Sequence, residues 1–166
     1  MRALVWIIED TWQATVAQAA EYLPAQAEVT LLHVADTQTE GVARVARHGL
    51  LGRDPPDRGR EGELRAISEQ AAKELLDDAR NAFGRPVECE ARRGRVEREV
   101  VAAAEDMDIL ILARDGDRAQ LGPRSIGPAV RFVVDHAPCR VLLIWPDPAP
   151  SLTTIPPPPP GPPRPR

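Results

Sequence analysis

Long hydrophobic runs, cysteines and an excess of basic charge are what this 166-residue chain has least of. Its two cysteines, Cys89 and Cys139, make neither a zinc cluster nor a disulfide framework. They read as two buried thiols in a reducing compartment. The apolar run nearest the N-terminus, Ala3 to Ile8, stops at Glu9-Asp10 after six residues. That is too short for the core of a signal peptide or for a membrane span. A formal net charge of −4 and a pI near 5.4 argue against a basic nucleic-acid binder. The expectation is a cytoplasmic protein with neither membrane nor nucleic acid as a partner.

Catalytic signatures are missing as well. No GxxxxGK[ST] occurs, so there is no lysine to follow a phosphate loop, and the first strand-to-helix turn reads "EDTWQ" rather than GxGxxG. Glu9-Asp10 would suit a phospho-accepting receiver domain. The later strands, however, close on "CEARRG" and "IWPD", without the aspartate and lysine such a domain needs. There is no GxSxG elbow, and His33, His48 and His136 have no evident nucleophile beside them. The chain is not expected to be an enzyme; a slow ATPase would lack an identifiable base.

Proline is concentrated at one end. Eleven of the eighteen prolines fall from Pro146 onward, ending in "IPPPPPGPPRPR". Proline has no amide donor and a fixed φ, so residues 147–166 are expected to form an extended, solvated tail outside the fold. A proline run can dock in an aromatic groove, but a disordered tail without a dedicated partner is the favoured reading. Residues 1–146 form the domain, a length that can bury a core unaided.

Within that domain the hydrophobic period alternates between strand and helix. "ALVWII" (3–8), "EVTLLHVA" (28–35), the weaker edge-like "PVECEA" (86–91), "DILILA" (108–113) and "RVLLIW" (140–145) read as strands. Helices are expected over 11–22, 61–83, 96–107 and 127–136. Asp10 and Gln13 would form a capping box, and Gly84 a stop. In the second helix, Leu64, Ile67, Ala71, Leu75 and Ala79 share one face. Segment 37–60 reads as a flap or an insertion. The pattern predicts an α/β fold: a five-stranded parallel open sheet with helices on both faces. Ligands of such sheets bind at the carboxyl ends of the strands, where strand order reverses. That places candidate residues at Glu9, Asp10 and Thr11, at Val34 to Asp36, and at Ala113 to Gly116.

The segments "TLLHVAD", "ARRGRVEREVVAAAEDMDILILA" and "VRFVVDHAPCRVLLIW" together resemble the universal stress protein family over residues 1–146. The resemblance implies an adenine-nucleotide alpha-hydrolase-like fold, a homodimer paired through the last strand, and ATP, with Mg accompanying it, bound by G-x2-G-x9-G-[ST]. Carried onto this chain, the motif falls on Ala113, Gly116, Gly127 and Pro128, with Ala129 next. Ten residues rather than nine lie between Gly116 and Gly127. Glu9 or Asp10 takes the acidic position after the first strand, and Val34 the position whose backbone meets adenine.

Pro128 removes an amide and a hydroxyl where an anion would bind, although proline is favoured in a helix's first turn. Arg114, Arg118 and Arg124, with the Ser125 hydroxyl, could replace those donors. If the loop is only a solvated one, Asp115 and Asp117 balance its arginines. The reading is a universal stress protein-like regulator with a modified, weak ATP site at the 113–128 loop. The alternative is a dimeric protein-interaction module without nucleotide. Trp6, Trp12 and Trp145 read as core or interface residues, His33 as packed and His136 as a helix-end cap.

Overall fold

A strand that is apolar at every position needs cover on both faces, and each central strand here has it. The computed structural model of the chain describes residues 1–37 and 58–157. Its elements in order are β1 (Arg2–Trp6), α1 (Trp12–Tyr22), β2 (Glu28–Asp36), α2 (Arg58–Phe83), β3 (Glu88–Gly94), α3 (Val96–Ala103), β4 (Ile109–Ala113), α4 (Pro128–His136) and β5 (Arg140–Ile144). Two short 3-10 turns, Pro123–Ser125 and Leu152–Thr154, complete it. The strands form one parallel sheet in the order β3-β2-β1-β4-β5, with the weakly apolar β3 at an edge as expected.

Side-chain alternation divides the interior in two. Ala3 and Val5 of β1, with Ile7 just beyond it, join Leu31, Ile111 and the inner residues of α1 and α2 on one face. Leu4 and Trp6 join Leu32, Leu110, Leu112 and the inner residues of α3 and α4 on the other. Leu4, Leu110 and Leu112 are fully buried, and each such side chain contributes about 1.5–3 kcal/mol. From β1 to β3 the chain winds one way; from β3 it crosses to β4 and winds back. With right-handed crossovers, that reversal puts α3 and α4 opposite α1 and α2. The reversal falls between β1 and β4.

Several local expectations are corrected. Ile7 still extends the ladder, donating to Leu32 O at 2.8 Å, but Ile8 O accepts from Thr11 N, so β1 turns before Ile8. Thr11, not Asp10, is the N-cap of α1 and makes no side-chain cap bond. The capping box from Asp10 and Gln13 does not form. α3 stops at Ala103 rather than 107, because Ala104 N is shared between Val100 O and Val101 O and the chain turns there. On α2 the buried residues are Ala72, Leu76, Ala79 and Phe83, while Leu64 and Ile67 are exposed at 56% and 65%. Among its described side chains, burial begins only at Ala72. Gly84, at φ 74°, does end it. Cys89 is exposed and Cys139 half-buried, not two buried thiols. His33 is packed, with Nδ1 facing Ile7 O at 3.1 Å. Of the segment expected as a flap or insertion, residues 38–57 lie outside the described residues.

Candidate functional site at the sheet reversal

The carboxyl ends of β1 and β4 lie side by side, so the turn 7–11 and the loop 113–128 share one end of the sheet. In the turn, Glu9 and Asp10 are exposed. Thr11 is buried, and its Oγ1 has no hydrogen-bond partner. Its carbonyl accepts both the amide and the hydroxyl of Thr15. Val34 is buried near the end of β2, so only its backbone could meet a ligand.

The loop is a folded unit. Ala113 is fully buried at the end of β4, and Arg114 N continues the ladder to Ile144 O at 3.0 Å. The chain then doubles back, with Gly116 N on Ser125 O at 3.1 Å and Asp117 N on Arg124 O at 2.8 Å. Gly116 is required there, because a Cβ would lie 2.3 Å from Arg124 O. Ser125 is buried, and its hydroxyl donates to Gly122 O at 2.7 Å. Arg114 Nη1 donates to that hydroxyl at 2.5 Å, and its guanidinium lies 4.5 Å above the Trp145 ring. Trp145 is therefore a platform for a side chain of its own protein. Arg114 Nε is buried without a partner.

The loop's carboxylates serve donors other than the arginines. Asp115 Oδ1 accepts from Gly127 N at 2.7 Å, at the threshold of α4. Asp117 accepts from Gln120 Nε2 and from Ala119 N. The bond from Gln120, then that from Ala119, holds its carboxyl below the ordinary value. Arg118 pairs with Asp147 at 3.3 Å. Arg124 and Pro128 are exposed, and Ala129 is half-buried. Arg131 Nη2 donates to Pro123 O and Ile126 O, pinning the 3-10 turn to α4.

The segment after β5 also touches this loop. Ser151 caps the turn Leu152–Thr154, and Thr154 Oγ1 accepts from Leu121 N at 3.0 Å. Asp147, through Arg118, and Thr154, through Leu121 N, thus touch the 113–128 loop from beyond the expected boundary at 146/147. The proline run from 158 onward lies outside the described residues.

Sequence reasoning brought together the loop, the β1 turn and the end of β2. It missed the bond from Gly127 to Asp115, the stack of Arg114 on Trp145 and the seat of Thr154. No local pattern announces pairings between residues so far apart. A separate cavity of about 210 Å³ lies between α2 and the ends of β2 and β3, walled by Ala35, Ala72 and Ala91. Its mouth charges are already engaged, Glu69 with Arg65 and Arg92 with Glu90. It is a packing gap against small side chains, not the reversal site.

Sheet order and loop placement define a doubly wound α/β protein with its candidate site at the topological switch. The chain matches the model of the universal stress protein family over residues 4–144 and belongs to that family. Among solved structures it is similar to the hypothetical protein MJ0577, with TM-score 0.65 and 20% identity over 87% of this chain and 94% of that one. A universal stress protein family protein from Arabidopsis thaliana with AMP bound matches at TM-score 0.54 and 16% identity, over 87% and 91%. The universal stress protein of Archaeoglobus fulgidus in complex with dAMP matches at TM-score 0.52 and 17% identity, over 86% and 96%. No curated protein sequence matches the chain.

The residues present fit an adenine nucleotide only in part. The end of the sheet is in place, with a buried, unpartnered Thr11 hydroxyl beside it. The phosphate end is not, because Gly127 N is taken by Asp115 and Pro128 has no amide. Among the described residues no group of three or more His, Cys, Asp or Glu could hold a metal. No described helix is long and apolar enough to cross a membrane.

Proposed function

We propose that this member of the universal stress protein family is a cytoplasmic, non-catalytic regulator whose conformation responds to weakly held adenine nucleotide at the 113–128 loop. The observation that carries the reading is placement. The loop is an ordered structure at the sheet reversal, facing the turn after β1, where open α/β sheets take their ligands. Two structural neighbours, seen with AMP and dAMP, support adenine as the base. Purified protein, released by heat or acid and examined near the adenine absorbance band, should yield little or no retained nucleotide. Calorimetry with Mg-ATP should give an affinity on the order of tens of micromolar or weaker. Tight binding would overturn the reading of a modified site.

One observation favours a second reading, a nucleotide-independent interaction module. Arg114 is already bonded to Ser125, and Asp115 to the amide of Gly127. Complete absence of binding by adenosine, AMP and ATP would select it.

A further inference from the structure

The loop contains its own anion. The exposed Asp115 carboxylate accepts from Gly127 N at 2.7 Å. It is packed so closely that a Cβ on Gly127 would lie 2.7 Å from Oδ2. The amides opening a helix are its free donors and its positive end, the place where a phosphate is ordinarily held. In α4 the amide of Gly127 is taken, Pro128 has none, and Ala129 is the next that could donate. Two nearby cations are committed, Arg114 to Ser125 and the face of Trp145, and Arg131 to the carbonyls of Pro123 and Ile126. A phosphate brought to α4 would displace a carboxylate or sit beside it, and like charges at that range repel.

We propose that Asp115 is a specificity-determining residue that ranks ligands of this site by charge. Adenosine is preferred to AMP, and AMP to ATP. The inference rests on the reading that the site takes an adenine compound, and it adds which member of that class. In that reading the uncharged part of the ligand lies toward the turn after β1, with its buried, unpartnered Thr11 hydroxyl. The phosphates alone meet the filter.

Two variants separate charge from hydrogen bonding. Asp115→Asn keeps an acceptor for Gly127 N and removes the charge; Asp115→Ala removes both. Calorimetry on the full chain should show adenosine binding more tightly than ATP. Asp115→Asn should tighten ATP by at least about tenfold, the worth of one charge-assisted contact, while leaving adenosine unchanged. An unaltered ranking in both variants would overturn the proposal. Amide NMR with inorganic tripolyphosphate distinguishes this failure from that of the adenine reading. A shift of the Gly127 amide in the variants but not in the parent supports the filter even if no adenine compound binds. Equal response in all three proteins overturns it.

Discussion

Gly116 carries a constraint that no side chain could share. A Cβ there would sit 2.3 Å from Arg124 O, and the atoms it would strike are backbone, held by bonds from Gly116 N and Asp117 N. Gly116→Ala should therefore cost about 1–3 kcal/mol through forced opening of the loop, read as a lower midpoint in urea unfolding. An unchanged midpoint would show that the two loop strands can part freely. The adjoining motif position behaves differently. Ala113 is core, fully buried at the end of β4, and the following amide already bonds Ile144 O. Replacing it with glycine would return no donor to a ligand. At this scale the sequence marked which positions matter, since glycines at 116 and 127 stand out in an arginine-rich loop. It did not show their partners. Whether Asp115 neutralises an arginine or occupies an amide depends on how the loop folds, and both options are open to a carboxylate of that reach.

Among elements, the segment after β5 departs furthest from its composition. Prolines suggest a free tail, yet Ser151 starts a 3-10 turn whose Thr154 hydroxyl receives Leu121 N, 33 residues earlier. Thr154→Ala should speed hydrogen exchange at Leu121 and lower stability by about 0.5–1.5 kcal/mol. A chain ending at Pro150 should behave alike, whereas one ending at Pro157 should keep the protection. Equal exchange in all would mean the contact holds nothing in solution. The strands were legible because a run such as "ILILA" must be covered on both sides wherever it lies. The inner face of α2 was not. Leu64 and Ile67 have helical spacing to the buried set, but spacing cannot tell where along its length a helix meets the sheet. The role of Thr154 was illegible for a related reason, since a single hydroxyl in a proline-rich stretch has no periodicity to betray it.

At the scale of the molecule, β5 is an edge, paired with β4 on one side, and Val141, Leu142 and Leu143 are only half-buried. An apolar edge strand invites a second copy. We propose a homodimer through this strand, for which light scattering should give about twice the 18.1 kDa chain mass. A single-chain mass at tens of micromolar would refute it. Val141 and Leu143 already contribute to the core beneath α3 and α4, so a partner would cover what they leave exposed. Trp145, just beyond that strand, carries the last consequence. Its ring lies under the Arg114 guanidinium, whereas Trp6 is enclosed in the core at 3% exposure. Of the three indoles, Trp145 thus records the state of the loop, Trp6 the integrity of the fold, and Trp12, half-buried at the start of α1, the turn after β1. The protein has an optical gauge of its own site, with a reference lamp built in.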